Sequence, residues 1–315
     1  MKSAELRGLL SGLALVGIAA LVAIDGPQLV PGQDLLQSLR FHIAALLIGL
    51  VVLLFASRAR WRGLLMLVLV GASLGHGALV VYRQQEARAA FDARDPVATA
   101  RVLSFNVLAY NQRGGDIADF MIESAADIVF IMESRAMLPQ LERLASAFPY
   151  RAGCDQAGDN CDTMVFSRTP LTDVRVVALQ PFERLRLVIA TTSIDGQEVT
   201  VVGTHLSKPY FDESAWIEVQ HIRRALNTIE GPLILAGDFN AAAWSDLVAR
   251  FAADTQLVPP PYYPATWPIR FGALGVPIDN MFTRGGARIE AIEAMDDPLG
   301  SNHRGLLATV GLYAD

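Results

Sequence analysis

Apolar residues fall into two rhythms along this chain. Up to residue 82 they form long uninterrupted runs. Beyond residue 100 they form short runs broken by polar turns. The runs at 8–24, 41–56 and 63–82 contain no Asp, Glu, Lys or Arg. A helix needs about 17–25 mostly apolar residues to cross a bilayer, so the pattern predicts three transmembrane helices. The second run is the shortest and spans only if Arg40 and Arg58 at its ends snorkel outward to the headgroups.

After residue 100 the pattern predicts β-strands over 102–105, 128–132, 164–166, 185–192, 199–204, 233–236 and 306–312. It predicts helices over 117–122, 138–148, 214–229 and 246–252. Strands alternating with helices describe one mixed α/β domain over residues 101–315. Residues 1–82 form the anchor. Residues 83–100, polar and Ala-rich with Asp95-Pro96, read as a short helical extension and then a linker.

Composition supports that division. Hydrophobic residues are 52% of the 315 and charged residues 18%, with a mean hydropathy of +0.33. Ordinary soluble domains carry roughly 25% charged residues, so a disordered or fibrous chain is excluded, and the shortfall argues against a wholly soluble one. Of 26 Lys and Arg, residues 1–100 hold nine against six Asp and Glu; residues 101–315 hold 17 against 26, a net of −9. Arg58, Arg60 and Arg62 sit between the second and third runs. Because Lys and Arg stay cytoplasmic, the N-terminus and that loop are inside and the domain emerges outside, on the periplasmic face of an inner membrane. Ala20–Ala23 offers no clean small-x-small cleavage site, so the first run is read as an anchor rather than a signal peptide. The acidic domain has no electrostatic footprint for tight non-specific nucleic-acid binding.

His42 and His76 lie inside the apolar runs and are read as packing residues. For His76, among Gly71, Gly75 and Gly77, a backbone carbonyl is the expected partner. His221 is read as a helix-surface residue. Cys154 and Cys161 make no zinc site; in an oxidising compartment they are expected to close a disulfide, with two free thiols as the alternative. Tyr210, Phe211, Tyr262, Tyr263 and Trp267 fall in loops beside the polar positions described next, suited to stacking bases, touching lipid or filling the core.

Several apolar runs stop on a residue able to bind a metal or move a proton: Asn106, Glu133, His205 and Asp238, with Asn240 two further on. Asp279 precedes another short apolar run, and Ser301-Asn302-His303 precedes the last strand. Each alone reads as a turn former or cap; together, at strand ends that meet in space, they suit a hard cation such as Mg2+ or Mn2+.

The order of these pieces resembles the endonuclease/exonuclease/phosphatase superfamily, the deoxyribonuclease-I-like fold. The resemblance rests on Leu103-Ser-Phe-Asn106-Val, Met132-Glu133, Val165-Phe-Ser-Arg168, Thr204-His205-Leu-Ser207, Ala236-Gly-Asp238-Phe-Asn240, Ile278-Asp279-Asn-Met-Phe282 and Ser301-Asn302-His303-Arg304. Ala265-Thr266-Trp267-Pro268 is similar to the membrane-tethered bacterial branch. The resemblance implies a four-layer α/β sandwich, two packed mixed sheets flanked by helices, hydrolysing phosphate esters with Mg2+ or Mn2+. It implies Glu133 as the principal metal carboxylate with Asn106 beside metal and phosphate. It further implies Asp238 to orient or deprotonate water, Asn240 and His205 on the phosphoryl group, and His303 as proton donor or base, oriented by Asp279. Asp162 is a candidate acidic partner for His205. The family usually has Ser-Asp-His where this chain has Ser301-Asn302-His303; Asn302 ligates more weakly than Asp, which predicts activity with one metal. The expected partners are the lipid bilayer and a phosphate-ester substrate, whether nucleic acid, lipid headgroup or small molecule; no protein partner is inferred. The competing reading is a membrane-anchored scaffold that kept the fold and lost turnover, distinguished by the absence of any phosphate-ester hydrolysis.

Overall fold

The N-terminal apolar runs form helices α1 (Ser3–Asp25), α3 (Arg40–Ala56) and α4 (Arg60–Ala89), with a six-residue helix α2 (Gln33–Ser38) between the first two. The chain is described here from a computed structural model covering residues 3–27, 32–89, 95–154, 162–210 and 212–314. By length and apolar content, α1 and α4 are able to cross a membrane. With 17 residues, α3 is shorter, about 25 Å at 1.5 Å per residue against a hydrocarbon core of roughly 30 Å. Leu10, Leu21, Leu47, Leu50, Leu54, Met66 and Val70 pack the three helices together.

The expected outward reach of Arg40 is corrected. Its side chain is buried between the helices, with Nη1 donating to Asp25 Oδ1 at 2.5 Å and to the Ser73 carbonyl at 2.9 Å. Burying a guanidinium requires a charged partner, which α1 supplies in Asp25, while the Ser73 carbonyl on α4 accepts from the same Nη1. His76 also differs from expectation: its Nδ1 meets the Asp25 carboxylate at 2.8 Å rather than a backbone carbonyl.

The domain that follows is built on eleven strands: β1 (Ala98–Asn106), β2 (Ile128–Met132), β3 (Tyr150–Ala152), β4 (Met164–Ser167), β5 (Thr172–Leu179), β6 (Arg184–Ile194), β7 (Gln197–His205), β8 (Leu233–Asp238), β9 (Asp279–Arg284), β10 (Ala287–Ala294) and β11 (Leu306–Leu312). One sheet has the order β10-β11-β1-β2-β4-β3 and the other β5-β6-β7-β8-β9. Alternate residues face inward, so Val102, Phe130, Val201, Ile234, Met281 and Ile289 fill the space between the sheets. Helix α5 (Gly114–Glu123) and the short α6 (Leu141–Leu144) cover the first sheet, packing Ile117, Met121 and Leu144 with Phe105 and Ile131. Helices α7 (Ser214–Leu226) and α8 (Asp246–Asp254) cover the second, packing Ile222 and Phe251 with Leu235 and Phe282. The result is the expected layering of helix, sheet, sheet and helix. The helix expected over 138–148 is instead a 3-10 turn (Ser134–Gln140) containing Pro139, followed by α6; proline removes a backbone donor from a helix interior. The expected Cys154–Cys161 pairing and Phe211 involve residues outside those described, although Cys154 itself holds no free thiol.

The N-terminal helices and the α/β domain share polar contacts. The loop after β8 presents backbone and indole donors, and α2 meets them with buried polar side chains. Ser38 Oγ accepts from Ala242 N at 2.9 Å, Gln37 Oε1 from Asp246 N at 2.8 Å and Asp34 Oδ1 from Leu247 N at 3.2 Å. Asp34 Oδ2 accepts from the Trp216 indole at 3.0 Å, and the Gln37 carbonyl from the Trp244 indole at 3.1 Å. The end of α4 adds Gln84 Nε2 to the Ala243 carbonyl at 2.7 Å. Removing the shared acceptor in Asp34→Ala leaves two donors unpaired, which costs about 1–3 kcal/mol each when they stay buried. Chemical denaturation of the full chain in detergent is expected to show that loss, with Asp34→Asn, which keeps one acceptor, less affected.

Candidate active site

Pairing direction brings the polar strand ends together. β1 and β2 run parallel with Asn106 opposite Met132, so Glu133 follows at the same rim. β7 and β8 run parallel with His205 opposite Asp238, and antiparallel β9 starts with Asp279 opposite Asp238. Gly237 permits this pairing: a Cβ there would lie 1.7 Å from the Thr204 carbonyl oxygen. The loop before β11 is fastened to the end of β1, with Ser301 Oγ donating to the Asn106 carbonyl at 2.6 Å and accepting from His303 N at 3.1 Å. Glu133 and Asn240 both take left-handed backbone conformations, φ 52° and 51°, uncommon outside glycine, which turn the chain sharply off β2 and β8.

Seven of the residues expected at the site meet there. Asn106 Nδ2 donates to Glu133 Oε1 at 3.1 Å and to Asp238 Oδ2 at 3.0 Å, linking the two sheets. Glu133 Oε2 accepts from Ala109 N at 3.0 Å. Asp238 Oδ1 accepts from Asn240 N at 2.8 Å, and Asn240 Nδ2 donates to the Leu206 carbonyl at 2.9 Å. His303 meets Asp279 Oδ2 through Nδ1 at 2.9 Å and turns Nε2 toward Asp238 Oδ2, 3.7 Å away. His205 meets Asp162 Oδ1 through Nδ1 at 2.7 Å, with Nε2 3.6 Å from the same Asp238 oxygen. Asp162 is therefore the partner of His205. Asn302 stands apart: it is exposed between buried Ser301 and His303 and bonds to none of the cluster residues.

The electrostatics follow from burial and pairing. Burial opposes the charged imidazolium of His303, yet the Asp279 and Asp238 carboxylates more than offset it and push its pKa up to about 9. His205 is likewise raised against its burial, chiefly by Asp162. Burial alone would push Asp162 up, but the His205 and Arg186 charges hold it well below the usual carboxylate range. Asp238 is raised by its burial, with the His303 charge opposing.

Two charged side chains outside the expected set complete this network. Arg186 Nε donates to Asp162 Oδ2 at 3.2 Å and its Nη1 to Ser207 Oγ at 3.1 Å, while Ser207 Oγ donates to Glu218 Oε1 at 2.7 Å. The available signal was a charge breaking a pattern. Glu218 lies on the apolar face of α7 with Ala215, Val219 and Ile222, fully buried. Thr266 is a third supporting residue, its Oγ accepting from the backbone N–H of Asp279 at 3.2 Å.

The donors fit a hard divalent cation. Glu133, Asp238 and Asp279 offer carboxylate oxygens, and Asp279 Oδ1 is buried without a hydrogen-bond partner. Ligand atoms of Asp238, Asp279 and His303 lie within 4.8 Å of one another. That trio is poorly suited as a complete ligand set, because an imidazole paired to a carboxylate and held at about 9 is protonated near neutrality and offers no lone pair. The half-buried Glu133, bridged to Asp238 by one Asn106 amide, presents the better pair of anionic oxygens.

His303 links folding to pH. Its folded pKa exceeds the ordinary 6.5, so its stabilisation is complete below about pH 6.5 and is lost as pH rises through about 9. Asp279→Asn removes most of it. The stability gap between wild type and Asp279→Asn, measured by denaturation with chelator present, is expected to be large near pH 6 and to narrow above pH 9. A gap that does not change with pH would remove the Asp279–His303 ion pair from the account.

Comparison with known proteins places the fold and the family. No curated protein matches the chain by sequence. Among solved structures, an endonuclease/exonuclease/phosphatase from Beutenbergia cavernae is similar, with 21% identity over 69% of this chain and 72% of that one, TM-score 0.55. Beta toxin from Staphylococcus aureus, solved with bound magnesium ions, has 15% identity over 69% and 100%, TM-score 0.55. TDP2 from D. rerio, complexed with a single-strand DNA product, has 16% identity over 68% and 99%, TM-score 0.53. These share the fold. The model of the Endonuclease/Exonuclease/phosphatase family matches residues 103–303, well over half of the chain. The chain belongs to that family and is an enzyme of its phosphoric ester hydrolase type.

Proposed function

We propose that the chain is a membrane-anchored, divalent-metal-dependent phosphodiesterase whose catalytic domain faces the extracytoplasmic side. The observation that carries this reading is the meeting of three carboxylates, two imidazoles and two amides at one rim of the sandwich. The apolar α1, α3 and α4 support a three-span anchor, and the arginines at 58, 60 and 62 support its orientation.

In this reading Asp279 orients His303, which remains protonated near neutrality and donates its Nε2 proton to the leaving oxygen. Asp238, its charge disfavoured by burial, takes a proton from the attacking water. His205, charged through Asp162, and the Asn240 amide hold the phosphoryl oxygens. Glu133 and Asp238, beside Asn106, would hold a divalent cation, which when bound would supply positive charge for the developing oxyanions. Asn302 is exposed and bonded to none of the cluster, outside the cation's reach in this reading, so Asn302→Asp is expected to leave Mn2+ affinity unchanged in a calorimetric titration; tightened binding would place position 302 beside the cation.

The test is hydrolysis of a diester such as bis(p-nitrophenyl) phosphate, alongside single-stranded DNA, RNA, phospholipid and sugar phosphate, by the full chain in detergent. Turnover is expected to vanish with chelator and return with Mn2+. His303→Ala is expected to lower kcat on the order of 10²–10⁴-fold while the protein stays folded. Turnover that survives chelator would remove the metal, and a reporter after Asp315 that works in the cytoplasm would reverse the topology.

A further inference from the structure

Between Trp267 and Val276 the chain leaves the site rim and returns. The two residues bond backbone to backbone, Trp267 N to the Val276 carbonyl at 3.0 Å and Val276 N to the Trp267 carbonyl at 2.5 Å. Between them the 3-10 turn Ile269–Leu274 buries none of its six residues. Three of those are large and apolar, with Ile269 38%, Phe271 53% and Leu274 76% exposed. Arg270 lays its guanidinium 5.0 Å from the centre of the Phe271 ring.

The place of this turn identifies what covers it. His42 Nε2 donates to the Leu274 carbonyl at 2.7 Å. His42 is the third residue of α3 and lies on the membrane side of Arg40, the buried cation that pairs with Asp25 where the apolar helices end. Leu39 and Trp244 pack beside Trp267 on Val276 and Ile278, and Phe41 sets its ring edge-on to Trp244 at 5.0 Å. The apolar turn is thereby fixed against the outer end of α3, whose own Leu46 is 77% exposed a turn further in. An arginine beside an aromatic ring and aliphatic side chains suits the headgroup boundary, where the cation meets phosphate and the apolar groups enter the acyl region.

We propose that the Ile269–Leu274 turn is a second membrane contact, dipping Ile269, Phe271 and Leu274 into the outer-leaflet surface of the bilayer that the helices cross. This rests on the membrane-anchored reading above. The contact bears on the site through Thr266, at the root of the turn. Its Oγ holds the N–H groups of Ile278 and Asp279, and its carbonyl accepts from Arg304 N at 2.9 Å, beside His303. The turn thus sets the height of Asp279 and His303 above the lipid.

The test uses the full chain in nanodiscs of phosphatidylcholine and phosphatidylglycerol. Leu274→Cys and, separately, Phe271→Cys carry a fluorescent label. Leu46→Cys serves as the acyl-region control. Ser193→Cys, exposed at the end of β6 away from the site, serves as the water control. Quenching is read from spin-labelled lipid and from aqueous iodide. Labels at 271 and 274 are expected to be quenched severalfold more than at 193 by lipid carrying the spin label near the headgroup, and severalfold less by iodide. If position 46 is quenched by lipid while 271 and 274 respond like 193, the anchor stands and the second contact is overturned. Positions 271 and 274 shielded from both quenchers would mean that another protein surface covers the turn, which also overturns it. If position 46 is not quenched by lipid, the anchored reading itself fails and the second contact with it.

Discussion

A carboxylate buried at the end of a central strand is the constraint around which the rest is arranged. Asp238 is 1% exposed, and an unpaired charge there would be costly in a low-dielectric interior. Neighbours from both sheets meet the demand: the Asn106 amide from β1, the Asn240 backbone, and the rings of His205 and His303. Each histidine needs its own acid, so Asp162 and Asp279 are drawn into the same rim. Arg186 then balances Asp162 from behind, and Glu218 faces Arg186 in turn. Satisfied in this way, a buried polar network rigidifies the rim, and its members strengthen one another. The same requirement fixes these carboxylates, imidazoles and amides in one geometry.

The N-terminal helices enter this arrangement through polar contacts. α2, between two apolar helices, satisfies the backbone donors of the loop that follows Asn240. Arg40, buried against Asp25 and Ser73, locks α3 to its neighbours immediately beside that contact. The orientation of the catalytic rim relative to the helices is therefore set by hydrogen bonds, and the polar composition of the short 32–39 segment has a structural cause.

Much of this was legible in the residues. Buried strands such as β2 and β8 are short unbroken apolar runs, and their polar ends marked Glu133 and Asp238 directly. β5 and β10 were not legible. Most of β5 is exposed at a sheet edge, so no apolar alternation marks it. β10, Ala-Arg-Ile-Glu-Ala-Ile-Glu-Ala, is rich in residues that favour helix, and it is a strand because β11 pairs with it. Arg40 was misread because an isolated arginine at the end of an apolar run carries no sign of a partner 15 residues earlier. The pairing of Asp162 with His205 was foreshadowed. Arg186 and Glu218 were not, since an inward-facing charge becomes recognisable only once the register of β6 and the buried face of α7 are known. Asn302 was placed by the family's Ser-Asp-His pattern, whereas the loop turns Ser301 and His303 inward and leaves the residue between them at the surface.

The account's central claim is a place: one rim where carboxylates from both sheets share a cation. Anomalous diffraction from crystals of the full chain soaked in Mn2+ locates that place directly. The account predicts a peak within ligand distance of Glu133 and Asp238, with the Asn106 side chain beside it. A Mn2+ peak elsewhere in the domain, or none at millimolar concentration with this rim open to solvent, would contradict it.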